Sequence, residues 1–117
     1  MHEYPLTLNI IEIASGYAAR ENARVRKINL VIGEASGILG DSIRLYFGEI
    51  ACGTICEGAE IDIERVKPLL RCNICGRMFQ RKPFTFACAE PGCPGDGIPT
   101  ETGREFYIKS VEVEDKD

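Results

Sequence analysis

Apolar residues along this chain recur with two different periods, and each change of period marks a change of element. Leu6, Ile10, Ile13 and Tyr17 step by four, three and four residues, which lines one face of a helix over residues 4–22; Pro5 suits its first turn. Ile28, Leu30 and Ile32 then alternate with Lys27, Asn29 and Val31, the period of a strand, which Gly33 stops. After a loop over Gly37–Gly40, Asp41 or Ser42 can cap a second helix. Its stripe is Ile43, Phe47 and Ile50, with Leu45 and Tyr46 widening the face. Ile61 and Ile63 alternate with Glu60, Asp62 and Glu64 in a half-buried strand. Residues 104–113 read as a last strand. In it Phe106 and Ile108 hold one phase and Val111 and Val113 the other, and a bulge near Lys109–Ser110 reconciles them.

Between residues 67 and 101 both periods vanish. This stretch holds four of the six cysteines and five of the six prolines, and it reads as an insertion between two strands of one sheet. The predicted architecture is α+β: two helices packed on a three-stranded sheet, with an inserted four-cysteine module resembling a zinc ribbon. Residues 1–66 and 102–117 form the discontinuous parent domain, and residues 67–101 form the module.

Composition narrows the function. The chain has 117 residues, 44% of them hydrophobic, enough for one modest core. No run approaches the roughly 18 apolar residues of a membrane span, and the opening MHEYPL does not look like a signal peptide. A cytoplasmic, reducing location is therefore expected, and paired cysteines read as metal ligands before disulfides. Fourteen Lys and Arg against 18 Asp and Glu give a net charge of −4, which argues against broad coating of nucleic acid. The one histidine, at position 2, excludes a multi-histidine zinc hydrolase. With no nucleophile–base pair, phosphate loop or open catalytic metal site, the chain does not read as an enzyme.

The cysteines carry the strongest chemistry. Cys72-Asn-Ile-Cys75-Gly is a turn in which two thiolates converge on one cation while backbone amides bond to the sulfurs, and the glycine takes up a left-handed conformation. Cys88-Ala-Glu-Pro-Gly-Cys93 is a looser second knuckle, with four residues between its cysteines and a tight bend at Pro91–Gly92. Two such turns close a tetrahedral four-thiolate site that holds structural zinc. Iron in the same four thiolates, giving a small redox protein, is a lesser alternative, and two disulfides a weaker one. About 35 residues cannot bury enough surface to fold alone. Leu69, Leu70, Met78, Phe79, Phe84 and Phe86 offer only a miniature core, so metal binding should supply much of the folding free energy.

Arg65, Lys67, Arg71, Arg77, Arg81 and Lys82 fall in residues 65–83 with no acid among them. The cations offset a doubly negative zinc–tetrathiolate centre, or they form a patch that docks an acidic protein or nucleic acid. In the nucleic-acid case binding would weaken steeply with salt. Cys52 and Cys56, four residues apart near the end of the second helix, read as small buried or half-buried hydrophobes.

Position 2 has chemistry of its own. Histidine is too large for efficient removal of the initiator methionine, so the free amine is expected on Met1. That amine, the His2 backbone nitrogen and the His2 imidazole can close a five-membered and a six-membered chelate ring. Deprotonated amide nitrogen favours square-planar Ni(II) or Cu(II) over tetrahedral zinc. Glu3 could add its amide nitrogen or its carboxylate.

Taken together, the MHEYPL start, the LVIGE segment at 30–34, the EGAEIDIE segment at 57–64 and the cysteine module resemble the HypA/HybF family of hydrogenase maturation factors along essentially the whole chain. The resemblance implies a nickel metallochaperone in which Met1, His2 and Glu3 bind nickel as transient cargo and Cys72, Cys75, Cys88 and Cys93 bind structural zinc. The parent domain would then be the nickel-binding one. Implied partners are a nickel-handling maturation GTPase and the large subunit of [NiFe] hydrogenase, with urease as a client in some organisms. No membrane partner is implied, nucleic acid is disfavoured, and a homodimer is compatible with the reading. No further nickel ligand is carried over, Asp41 being the faintest of candidates. The five-residue step from Cys88 to Cys93 departs from the family's usual CxxC spacing.

Overall fold

A computed structural model of the chain describes residues 2–116. They form helix α1 (Glu3–Arg20), strand β1 (Ala23–Gly33), helix α2 (Gly40–Ile50) and strand β2 (Glu60–Val66). Then come three short strands, β3 (Leu70–Cys72), β4 (Met78–Phe79) and β5 (Gly97–Pro99), and finally β6 (Phe106–Asp115). Two three-stranded sheets result, ordered β2-β1-β6 and β4-β3-β5. The larger sheet carries the two helices, as the period-based reading expects.

β1 is the centre of the larger sheet. It runs parallel to β2, with α2 as the crossover, and antiparallel to β6. The pairs Val25–Val113, Ile28–Val111, Leu30–Ile108 and Ile32–Phe106 all contribute to the core under the helices. Two bulges make this possible. Register shifts leave Arg26 as the extra residue on β1 and Lys109 as the extra residue on β6. The second is the bulge expected near Lys109–Ser110, and it turns Val111 and Val113 to the same side as Phe106 and Ile108. On the other face Lys109 pairs with Glu64 at 3.0 Å and Arg26 pairs with Glu112.

The helices depart from the sequence expectation in three ways. The face of α1 that is buried is Thr7, Ile10, Ile11, Ala14 and Ala18, whereas Ile13 and Tyr17 are 52% and 43% exposed. Ala14 and Ala18 carry no bulk beyond Cβ, so α1 lies close over the sheet and α2 along that line, and the larger Ile13 and Tyr17 are left at its margin. Second, neither Asp41 nor Ser42 caps α2. Its N-cap is Leu39, with no side-chain bond, and Ile43 and Phe47 are buried while Leu45 is exposed. Third, α2 ends at Ile50, so Cys52 and Cys56 share no helical face. Cys56 is fully buried, 3.4 Å from the Ser15 hydroxyl, but Cys52 is exposed and donates to the Gly48 carbonyl.

The smaller sheet joins the larger through the backbone. The Gly33 N–H donates to the Glu105 carbonyl at 2.7 Å, Glu34 N–H to Val66 at 2.8 Å and Ala35 N–H to Gly103 at 2.7 Å. Gly33 and Gly103 touch so closely that a Cβ on Gly33 would lie 2.0 Å from the Gly103 oxygen. The loop after β1 thus holds both chain segments that lead to and from the cysteines. Of the apolar residues expected to form the smaller core, Leu70 and Phe79 are buried. Met78, Phe84 and Phe86 are exposed, because three short strands have only one covered face.

Candidate metal centre

Residues 70–99 fold so that four sulfurs meet. The Sγ atoms of Cys72, Cys75, Cys88 and Cys93 all lie within 4.8 Å of one another. Cys72–Cys93 and Cys75–Cys88 are each 3.6 Å apart. Zinc at about 2.3 Å from each of four tetrahedral sulfurs would separate them by about 3.8 Å. A disulfide needs about 2.05 Å, and all six cysteines are free thiols. The cluster fits structural zinc: four soft donors, the right separation and no open position.

Each knuckle has a local cause. Cys72 ends β3, and its sulfur accepts the N–H groups of Ile74 and Cys75, both at 3.4 Å. Gly76 closes that turn with φ 75, the left-handed conformation expected of the CxxCG glycine. In the second knuckle the Cys88 sulfur accepts the Glu90 N–H at 3.4 Å, the same two-residue step. The two extra residues are absorbed by a turn in which Cys93 N–H bonds the Glu90 carbonyl at 3.1 Å, with Pro91 second and Gly92 third at φ 81. The longer spacing therefore leaves the sulfur geometry intact.

Sequence reading missed the residues that lock the knuckles together. Asn73 donates its N–H to the Asp96 carbonyl at 2.9 Å, and its side-chain oxygen accepts the Asp96 N–H at 3.0 Å. Gly95 packs against Cys72: a Cβ there would sit 2.3 Å from the Cys72 sulfur. The glycine-rich run 92–97 signals turns, but nothing in it foretells which glycine faces a ligand.

As thiols, the four groups hold their protons unequally. The Cys75 and Ile74 N–H groups aimed at the Cys72 sulfur bring its pKa down from 9.0 to about 6. Cys88 receives the Glu90 N–H, but desolvation and the neighbouring sulfurs outweigh it and push the thiol up to about 12. Cys93 is also raised: the Gly95 N–H lowers its pKa, but desolvation and the Cys72 sulfur prevail. Zinc must displace thiol protons, those of Cys88 and Cys93 among them, so the apparent affinity should rise steeply with pH near neutrality. Competition with a chromophoric chelator at about pH 6.5 and about pH 7.5 measures this. A zinc affinity independent of pH would contradict it.

At the other end of the chain, His2 is exposed and occupies the N-cap of α1 in an extended conformation, with no side-chain capping bond. The Glu3 carboxylate accepts the Leu39 N–H at 3.0 Å, just before α2 begins. The Tyr4 and Tyr46 rings meet edge to face at 5.4 Å, so the start of α1 is tied to α2 twice. Asp41 lies exposed in the first turn of α2. Met1 lies outside the described residues. Among the described residues the four cysteines alone form a cluster of three or more potential metal donors, and no helix is long and apolar enough to cross a membrane.

Comparison with known proteins now adds to this geometry. Residues 1–113 match the family model described as hydrogenase/urease nickel incorporation, metallochaperone, hypA. The chain is 38% identical over 116 residues to a hydrogenase maturation factor HypA of Caldanaerobacter subterraneus, covering 97% of this chain and 100% of that protein. It is 39% identical over 119 residues to the factor of the same name from Chlorobium limicola, covering all of both. Among solved structures, that of a HypA protein in solution aligns with a TM-score of 0.70 at 24% identity, over 97% of each chain. The nickel metallochaperone HypA of Helicobacter pylori aligns with a TM-score of 0.64 at 24% identity, over 99% of this chain and 100% of that one. At that identity the two structures speak for the fold.

Proposed function

The chain belongs to the HypA family of hydrogenase/urease nickel-incorporation metallochaperones, and from that premise we propose that it carries nickel at its N-terminus and zinc at Cys72, Cys75, Cys88 and Cys93. As a member of that family it is a maturation factor and not a catalyst, and its work lies with the hydrogenase maturation machinery. In our reading residues 1–66 and 102–117 form the nickel-binding domain and residues 67–101 the zinc module. The chain acts in the cytoplasm, receives or exchanges nickel with a maturation GTPase, and delivers it to the large subunit of [NiFe] hydrogenase.

The observation that carries the nickel reading is where His2 and Glu3 stand. They are the N-cap and first residue of α1, positions whose amides have no acceptor within the helix. Using those amide nitrogens as ligands therefore breaks no helical hydrogen bond. The Met1 amine, the His2 amide and the His2 imidazole supply three nitrogens of a square plane suited to Ni(II), and Glu3 can add a further donor. The exposed imidazole leaves the ion open to transfer. The Glu3 carboxylate accepts the Leu39 N–H through one oxygen, which ties this donor to the start of α2.

Nickel titration tests this on three zinc-loaded proteins with free chain starts: wild type, His2→Ala, and a form with extra residues before Met1. Wild type should bind, with affinity falling as pH drops because amine, amide and imidazole must all lose protons. The two altered proteins should lose that site. Equal nickel binding by all three rejects the terminal site.

A further inference from the structure

One aromatic side chain in the zinc module is placed where nothing among the described residues accounts for it. Phe84 is 100% exposed. It is the third residue of a turn in which the Thr85 N–H reaches the Lys82 carbonyl at 3.4 Å, with Pro83 second. Its φ is 64, in the left-handed region that favours glycine. The same module makes a similar turn at Glu90–Cys93, and there the residue after proline is Gly92, at φ 81. At position 84 the chain instead sets a large apolar ring on a backbone that a ring disfavours, and wholly in water.

The surroundings brace the turn that carries the ring. Arg81 Nε donates to the Thr85 carbonyl at 3.3 Å, and its guanidinium lies over the Phe86 ring, 4.2 Å from the centroid. The Thr85 hydroxyl accepts the Ala87 N–H at 3.0 Å. A braced turn loses little freedom on binding, which is what makes a preorganised anchor effective. The two residues that precede the turn's proline, Arg81 and Lys82, are both exposed cations. Among the described residues the only ion-paired cation of segment 65–83 is Arg77, 2.8 Å from Glu90.

We propose that the Lys82–Thr85 turn is a protein-docking site, with Phe84 inserting into an apolar slot whose rim on the partner is acidic. This rests on reading the chain as a maturation factor that works through protein partners. An aromatic anchor in a pocket, surrounded by complementary charge, is how compact interfaces concentrate their affinity. Single-stranded nucleic acid fits less well. It stacks on successive aromatic faces, whereas the Phe86 face is covered by Arg81 and the chain is net negative.

The test measures binding of zinc-loaded full-length wild type, Phe84→Ala, Phe84→Gly and Lys82→Glu to three probes. These are the purified maturation GTPase, the hydrogenase large-subunit precursor and a single-stranded oligonucleotide. Wild type should bind one of the two proteins. Both Phe84 variants should weaken that complex about tenfold or more, mainly through faster dissociation. Phe84→Gly should at the same time keep or raise thermal stability, because glycine accepts the turn's φ; a folding defect would move both readouts down together. Lys82→Glu should slow association. The proposal falls if both Phe84 variants bind like wild type, if wild type binds neither protein, or if only the oligonucleotide is bound. Nickel titration of Phe84→Gly should match wild type, so a failed docking site and a failed nickel site are told apart.

Discussion

Cys72→Ala is expected to remove zinc from the protein altogether and to unfold residues 70–99 while α1, α2 and the larger sheet persist. Metal analysis should fall from about one zinc per chain to none. Cys72 is the hub of the centre. It is the buried member of the four, it accepts two backbone N–H groups, and its sulfur is touched by Gly95. Zinc bound by such sets contributes on the order of 10–16 kcal/mol to folding. The short sheet β4-β3-β5, whose buried apolar residues are Leu70 and Phe79, has nothing comparable to replace it. A strong chelator should have the same effect on wild type, melting this part before the rest. The controls lie within the chain: Cys52→Ala should change neither zinc content nor stability, and Cys56→Ala should lower stability by about 1 kcal/mol with zinc retained. Retention of a full zinc equivalent in Cys72→Ala would exclude the four-thiolate assignment.

Gly33→Ala should be nearly as damaging, at a position with no ligand. The added Cβ would meet the Gly103 carbonyl oxygen at 2.0 Å, its carbon at 2.2 Å and the Arg104 nitrogen at 2.7 Å. All three are backbone atoms, which cannot step aside as a flexible side chain would. The strand end or the returning segment must shift, straining the hydrogen bonds from Gly33 to Glu105 and from Ala35 to Gly103. Overpacking of this kind together with weakened bonds costs on the order of 3 kcal/mol, a large part of a small domain's stability. Denaturant midpoints should drop accordingly, and hydrogen exchange should open first at the Gly33 and Ala35 amides. Zinc content should stay whole, because the sulfurs lie on the far side of the junction. An unchanged midpoint would mean that the two glycines do not pack as described.

Both substitutions probe features of different legibility. The metal centre was readable because chelation is local: Cys72 to Cys75 and Cys88 to Cys93 are short turns, and Gly76, Pro91 and Gly92 announce their bends. The same holds for β1, β2 and the bulge at Lys109, since alternation is a property of neighbouring residues and a broken phase shows where it breaks. The buried face of α1 was misread for a related reason. Periodicity weights large side chains, so it assigns Ile13 and Tyr17 to the stripe. Burial followed Ala14 and Ala18, whose small size lets the helix approach its neighbours. Cys52, expected to pack near the end of the second helix, is exposed because that helix stops at Ile50, and helix ends depend on packing as much as on composition.

By itself, then, the order of residues determined the two helices, the strands of the larger sheet and the two cysteine turns, all of which follow from spacings a few residues long. Only the tertiary structure decided that Gly33 meets Gly103, that Gly95 backs Cys72, that Glu3 is held by Leu39 and that Phe84 stands free in water. Each of these depends on which distant backbone comes near. Steric contact and solvent exposure are set by the packed whole, and no local period encodes them.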